Sequence, residues 1–206
     1  MHQTDPSTGR DAASAHTPAM PGAEALADLA RRLDRPVVLV GLMGVGKSTI
    51  GKRLSQALGF GFIDADDAVV EAAQMSIAEI FERFGEAYFR DGERRVIARL
   101  IEENGNHPAV IATGGGAFVD PETRALILDR AVAVWLDSDL DTLVERVGRK
   151  NTRPLLTGKD PRVVLADLMD KRRPAYAQAP IRVVSDSGPQ AATVARILAA
   201  LEEFAA

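Results

Sequence analysis

The stretch Val37-Val-Leu-Val-Gly-Leu-Met-Gly-Val-Gly-Lys-Ser48 decides how the rest of the chain is read. Its first four residues are apolar and mostly β-branched, suited to a buried strand, and the run then breaks into glycines and closes on Lys47 and Ser48. Gly41 to Ser48 is G-x-x-x-x-G-K-S, the P-loop pattern, in which each residue type has a physical task. Glycines let successive backbone N–H groups curl around a phosphate, the lysine reaches the β and γ oxygens, and the serine hydroxyl meets Mg²⁺. The following helix adds its unpaired N–H groups and the positive end of its dipole. A glycine cluster alone marks only a turn. Here Ile50, Leu54, Ala57 and Leu58 recur at helical spacing afterwards, and Gly59 supplies a left-handed stop. Strand, loop and helix in this order point to a nucleoside triphosphate site built from Gly44, Val45, Gly46, Lys47, Ser48 and Thr49.

Composition sets outer limits. A chain of 206 residues with 46% hydrophobic content fits one globular domain with a real core. The formal net charge of -4 argues against general binding to nucleic acid or anionic membranes, so a cationic site has to be argued residue by residue. The lack of cysteine excludes disulfides, thiolate metal sites and a cysteine nucleophile, and is compatible with the reducing cytoplasm, where the chain is expected to act. No apolar run is long enough to span a bilayer, and residues 1–22 lack the hydrophobic segment of a secretory signal, so the chain reads as soluble. Small and polar, those residues offer too little apolar surface to offset chain entropy and are expected to form a disordered tail before a single domain at 23–206. A transit peptide fits them poorly, given Asp5, Asp11 and the lack of an amphipathic face. His2, His16 and His107 have no liganding spacing. Met75 and Trp135 read as packing residues.

Periodicity fills in the rest. A short amphipathic helix is predicted from Ala23 to Leu33, stopped by Pro36 before the first strand. Phe60 to Asp64 is a second strand, followed by a helix from about Ala68 to Ala73. Ser76-Ile-Ala-Glu79 is a capping box opening a helix that Gly85 closes, and the charged segment from Glu86 to Glu103 is another helix. Ala109 to Thr113 is a third strand running into Gly114, Gly115 and Gly116; Asp120-Pro121 starts a helix to about Leu128. Ala131 to Leu136 is a fourth strand, after which Ser138 and Asp141 are expected to cap a helix through Val147. The cation-rich segment at about 148–159 reads as a mobile loop, and Asp160-Pro161 opens a helix to about Arg172. Ile181 to Val184 is a fifth strand and Pro189 to Phe204 a closing helix. Strands alternating with helices imply an α/β fold: a five-stranded parallel sheet between two helical layers, with ligands at the carboxyl ends of the strands.

A P-loop alone fits kinases, GTPases and motor ATPases, so the second substrate must be read at the other strand ends. Asp64-Ala-Asp66 follows strand two, Phe89-Arg90 lies in the charged helix, Gly114 to Gly116 follow strand three, Arg153-Pro-Leu-Leu lies in the loop, and Arg172-Arg-Pro-Ala-Tyr176 comes after it. With the P-loop, these motifs and their order resemble the shikimate kinase family over roughly residues 36–203. The resemblance implies a P-loop three-layer α/β/α fold like that of the nucleoside monophosphate kinases, with a substrate-binding helical segment and a mobile lid. It also implies ATP-dependent phosphorylation of the shikimate 3-hydroxyl, in the pathway to chorismate and aromatic amino acids. The expected partners are shikimate and ATP, with Mg²⁺ as cofactor, no nucleic acid and no membrane, and the chain is expected to act as a monomer.

Phosphoryl transfer needs charge stabilisation on the phosphates, a divalent cation and an in-line hydroxyl beside a base. Lys47 and Ser48 supply the first two. Within the resemblance, Asp66 touches the acceptor hydroxyls and is the candidate base, and Asp64 orients Mg²⁺ through water alongside Ser48. Both acids are equally well explained locally as turn or cap residues. Shikimate carries a carboxylate, and the resemblance assigns its two-pronged recognition to Arg90 and Arg172, which by themselves read as surface helix cations. Gly114, Gly115 and Gly116 let backbone approach the substrate ring, although a strand-to-helix turn explains them as well. Glu93 either orients Arg90 and Arg172 or faces water. Arg153 is assigned to charge moving toward the β–γ bridge, from a lid that also excludes water. Arg146 and Pro189 are placed beside the nucleotide by the resemblance alone.

Gly92, Asp67 and the N-terminal tail depart from the family pattern; Gly92 would loosen the helix that carries Arg90. The nearest rival is gluconate kinase, and more distant ones are a nucleotide-switched GTPase and a non-catalytic nucleotide-binding module. No N-K-x-D guanine-reading segment is present.

Overall fold

The computed structural model describes residues 18–105, 108–148 and 160–206. Five parallel strands form one sheet in the order β2-β3-β1-β4-β5: β1 (Val37–Val40), β2 (Gly61–Asp64), β3 (Ala109–Ala112), β4 (Val132–Asp137) and β5 (Ile181–Val184). Burial explains their composition. β1, β3 and β4 lie inside the sheet, are covered on both faces, and every residue in them is buried, hence continuous apolar runs without alternation. β5 lies on the edge and alternates, burying Ile181 and Val183 while Arg182 and Val184 face out.

Helix α1 (Ala23–Arg32) anchors through Leu29 and packs on α2 (Lys47–Leu58), which lies over β1, β2 and β3 beside α8 (Gln190–Phe204). On the other face α3 (Ala65–Ala73) packs on α4 (Ile77–Glu103), and α4 packs on α5 (Pro121–Arg130), which covers β4. Helices α6 (Leu140–Gly148) and α7 (Pro161–Tyr176) pack together beyond the ends of β4 and β5.

Several predicted boundaries move for identifiable reasons. α3 begins at Ala65 because the Asp64 side chain caps it, accepting from the Asp66 N–H at 3.1 Å. The capping box at Ser76 and Glu79 forms, and the single helical trace after it is broken at Gly85, whose φ of 81° and ψ of 175° are open to glycine alone. α6 is capped by Asp139, whose carboxylate accepts from both the amide and the hydroxyl of Thr142, not by Ser138 and Asp141. Ser138 instead donates to the Ser185 carbonyl. α7 does not stop at Arg172 but continues through Pro174 to Tyr176, which puts Arg172 and Tyr176 one turn apart on the same face. A short 3₁₀ turn at Ala117–Val119, unpredicted, links the triple glycine to α5. The expected tail falls outside the described residues up to residue 17, and the expected lid falls outside them from residue 149 to residue 159. Among the described residues no helix is long and apolar enough to cross a membrane.

The chain leaves β1 to one side for β2 and β3, then crosses to the other side for β4 and β5. Loops at the carboxyl ends therefore diverge next to β1 and open a crevice there, the usual ligand position in such sheets.

Candidate active site

The P-loop begins where β1 runs out. Gly41 has φ of 135°, and a side chain on it would run into the Leu136 carbonyl of β4, so the turn admits glycine only. Gly46, at φ 102°, opens α2, and behind it Lys47 is buried while Ser48 and Thr49 are exposed on the first turn. Lys47 Nζ folds back over the loop, donating to the carbonyls of Gly41 at 2.7 Å and Leu42 at 3.0 Å. The loop is braced from the far side. The Val45 carbonyl accepts from Arg146 Nη1 at 3.1 Å and from Ser185 Oγ at 3.0 Å, and Arg146 also reaches Ser185 Oγ and the Asp186 carbonyl. Arg146 thus adjoins the P-loop directly, while Pro189 sits exposed as the residue before α8.

Sequence reasoning missed Ser185, which is fully buried. Its only signal was its position, the first residue past β5.

Ser48 Oγ donates to Asp64 Oδ2 at 2.7 Å, so the acid that caps α3 also faces the P-loop hydroxyl. Asp64 thus caps α3 with one oxygen and accepts from Ser48 with the other. A hydroxyl and a carboxylate at the mouth of a phosphate loop are hard oxygen donors of the kind Mg²⁺ takes, completed by phosphate and water. Among the described residues no group of three or more His, Cys, Asp or Glu is disposed to hold a metal without such completion.

The triple glycine after β3 is where the remaining residues meet. A β-carbon on Gly114 would lie 2.7 Å from Asp66 Oδ1 and 2.9 Å from Glu93 Oε1. One on Gly115 would lie 3.5 Å from Arg172 Nη1, and one on Gly116 would lie 2.5 Å from Arg90 Nη2. Each missing side chain is replaced by a functional group from another element: α3, α4 or α7. Asp66, Arg90 and Arg172, more than 100 residues apart along the chain at the extremes, therefore line one wall of the crevice.

Glu93 is 2% exposed and does not face water. Its Oε2 accepts from Arg90 Nη1 at 2.6 Å, and its Oε1 has no hydrogen-bond partner among the described residues. Arg90 is further held by Glu86 and lies over the Phe89 ring. Arg172 is positioned differently: Nη1 donates to the Gly115 carbonyl at 2.9 Å. The expectation that Glu93 orients both arginines thus holds for Arg90, while Arg172 takes its bearing from the glycine loop. Arg153 lies outside the described residues.

Electrostatics follow from this crowding. Burial pushes the Asp66 carboxyl above its ordinary value, the Asp64 charge pushes it further, and Lys47 and Arg90 pull it back. Burial likewise raises Glu93 against the pull of Arg90. A raised carboxyl beside a phosphate loop is a stronger base than an ordinary aspartate and is suited to accept a proton.

Because the group nearest a Gly116 β-carbon is the end of a flexible arginine, Gly116→Ala is expected to move Arg90 rather than the backbone. The expected result is a rise of roughly tenfold in the acceptor KM, equivalent to about 1.4 kcal/mol, with the nucleotide KM nearly unchanged. Steady-state kinetics with each substrate varied in turn would check it.

The family model described as "Shikimate kinase" matches residues 43–202. A shikimate kinase of Novosphingobium aromaticivorans is 54% identical over 190 residues, 92% of this chain and 98% of that protein. One from Caulobacter vibrioides is 54% identical over 176 residues, covering 85% and 86%. Among solved structures, a shikimate kinase from Acinetobacter baumannii in complex with shikimate matches with a TM-score of 0.72 and 31% identity, over 89% of this chain and 94% of the other. A gluconokinase from Sinorhizobium meliloti, 19% identical with a TM-score of 0.59, shares the fold alone. Matches of this extent to both sequence and structure leave one conclusion: the chain belongs to the shikimate kinase family.

Proposed function

We propose that the crevice transfers the γ-phosphoryl group of ATP to the 3-hydroxyl of shikimate, with Asp66 as base and Arg90 and Arg172 as the carboxylate grip. The observation that carries this reading is the convergence of Asp66, Arg90 and Arg172 on Gly114–Gly116, next to the P-loop. An acid beside two guanidinium groups fits a hydroxy acid: the arginines hold the carboxylate in a planar fork and leave the hydroxyl on the acid.

In the reaction the acceptor oxygen bonds to the γ-phosphorus, the bond from that phosphorus to the β–γ bridging oxygen breaks, and the hydroxyl proton passes to Asp66. Amides of Gly44, Val45, Gly46, Lys47, Ser48 and Thr49 hold the phosphates, and Lys47 leaves the Gly41 and Leu42 carbonyls to meet the γ-phosphate oxygens. Ser48 and Asp64 would hold Mg²⁺, which neutralises charge on the β and γ phosphates when bound. Arg146 and Pro189 border the base of the nucleotide, and Arg153 approaches the phosphates from the 148–159 segment, which acts as the lid of a single domain at 23–206. The enzyme acts as a monomer in the cytoplasm, consistent with an ATP-consuming biosynthetic step and a chain without cysteine.

Purified protein mixed with ATP, Mg²⁺ and shikimate should release ADP well above a control lacking acceptor, and gluconate offered in competition should not be used. No release above that control would sink the reading.

The pH profile tests the base. Asp66 must be ionised to accept a proton, so kcat/KM should fall as pH drops through its raised value. Removing the Asp64 charge relieves one cause of the rise. Asp64→Asn is therefore expected to move the acidic limb to lower pH, whatever it does to the maximal rate through Mg²⁺. A limb that stays in place would show that the Asp64 charge does not set it.

A further inference from the structure

The Gly115 carbonyl accepts two hydrogen bonds from α7: one from Arg172 Nη1 at 2.9 Å and one from the Tyr176 hydroxyl. The two donors stand four residues apart on one face, brought into line because α7 continues through Pro174. Gly115 itself is wedged in place. A β-carbon on it would lie 3.3 Å from the Met43 amide nitrogen and 3.6 Å from the Gly41 carbonyl oxygen, so the peptide has the P-loop on one side and Arg172 on the other.

Two guanidinium N–H groups aimed at a carboxylate require the planar fork to turn toward it. Arg172 spends one of its five N–H donors, on Nη1, on the Gly115 carbonyl. A turn that carries Nη1 away strips a partly buried carbonyl of one partner, and a carbonyl left without any partner opposes such a turn. Tyr176 removes that obstacle. Its ring is 2% exposed and stacks on Trp135 with centroids 6.0 Å apart, so the hydroxyl is fixed toward Gly115. Burial also pushes its ionisation up to about 12, which keeps it a neutral donor at any pH the enzyme meets.

We propose that Tyr176 is a positioning residue for acid binding: it keeps the Gly115 carbonyl satisfied while Arg172 exchanges that carbonyl for the carboxylate of the substrate. The inference rests on the reading of Arg172 as a carboxylate ligand. Tyr176 touches no reacting atom, and its effect reaches the substrate through Gly115 and Arg172. The hydroxyl also keeps the Gly115 peptide from rotating when Arg172 departs, which holds Gly114 and Gly116 against Asp66 and Arg90.

Tyr176→Phe keeps the ring and its stacking on Trp135 and deletes only the donor. The expected result is a rise in the shikimate KM of roughly tenfold, the size of one lost hydrogen bond in this setting at about 1.4 kcal/mol per tenfold. The ATP KM should stay within about twofold and the loss should not appear in kcat at saturating shikimate. An unchanged shikimate KM, or equal rises for both substrates, overturns the proposal, the second outcome marking a merely structural tyrosine. Should the variant fail to fold, a structure of the unmodified chain with shikimate decides: Arg172 Nη1 is expected beyond about 3.5 Å from the Gly115 oxygen while Tyr176 Oη remains within about 3.2 Å. Arg172 still bonded to Gly115 in that complex overturns the exchange. Unmodified protein that releases no ADP with shikimate would remove the functional reading and the exchange together, whereas turnover with an unaltered Tyr176→Phe variant removes the exchange alone.

Discussion

Lys47→Met is expected to remove turnover, lowering kcat on the order of 10³-fold, because a single preorganised donor aimed at developing charge is worth about 3 to 4 kcal/mol. Methionine keeps the length and apolar stem of lysine but carries no donor and no charge. Lys47 Nζ donates to the Gly41 and Leu42 carbonyls, which holds a charged donor at the phosphate loop. Lys47 is 9% exposed, and little water screens it there. Nucleotide binding should weaken less than turnover, since the backbone amides of the loop and the N-terminus of α2 remain. Single-turnover rates of ADP formation, with nucleotide affinity measured separately, would test this. Retained turnover would remove the P-loop from the mechanism altogether.

The second large effect is expected at Arg90→Ala, and it has two parts that can be separated. Loss of one arm of the proposed carboxylate grip should raise the shikimate KM roughly 100-fold, about 2.8 kcal/mol at 1.4 kcal/mol per tenfold, and leave ATP affinity nearly intact. Stability should also fall, because Glu93 is 2% exposed, Arg90 is its hydrogen-bonding partner and its Oε1 has none among the described residues. Removing one member of a buried pair costs about 3 to 5 kcal/mol, and the low end is expected because the Arg90 side chain is 25% exposed. Arg90→Ala combined with Glu93→Gln should recover much of the stability and none of the shikimate affinity. Equal losses for shikimate and ATP would make Arg90 structural only.

The pH dependence of that variant gives an independent check with a fixed sign. Burial raises the folded-state value of Glu93 above its ordinary 4.5, and Arg90 opposes the rise. A carboxyl raised on folding binds its proton more tightly in the folded chain, so it favours folding increasingly as pH falls from above the folded value toward 4.5. Without Arg90 the rise is larger. The stability deficit of Arg90→Ala should therefore shrink as the solution is acidified through that window. Thermal unfolding followed between neutral and mildly acidic pH would show it.

Much of this was legible from residues alone. The P-loop, the five strands and most helix starts follow from local rules: apolar runs where strands are covered on both faces, Asp-Pro and Ser-x-x-Glu at helix entries, glycine at left-handed positions. Errors arose where a distant contact overrode the local signal. The helix opened by Asp160-Pro161 is predicted to end at about Arg172, yet α7 continues through Pro174 to Tyr176, which is buried against Trp135. Ser138 reads as a cap, yet it serves β5 through the Ser185 carbonyl. Glu93 looked ambivalent because a charged residue between charged neighbours gives no hint of its burial. The identity of the second substrate depended on resemblance rather than on patterning, since isolated arginines carry no information about what they face.

The order of residues by itself determined that a phosphate loop exists, that a parallel sheet carries it, and which charged side chains stand at strand ends or on the helices between them. Those properties are set by neighbours within a few positions, through periodicity, caps and backbone freedom. Only the tertiary structure decided that α3, α4 and α7 deliver Asp66, Arg90 and Arg172 to the spaces left by three missing β-carbons, and that Glu93 and Tyr176 brace them from behind. The physical reason is that such placement depends on strand order and helix packing across the whole chain, where a gap of a few ångströms is filled by whichever side chain the fold brings there.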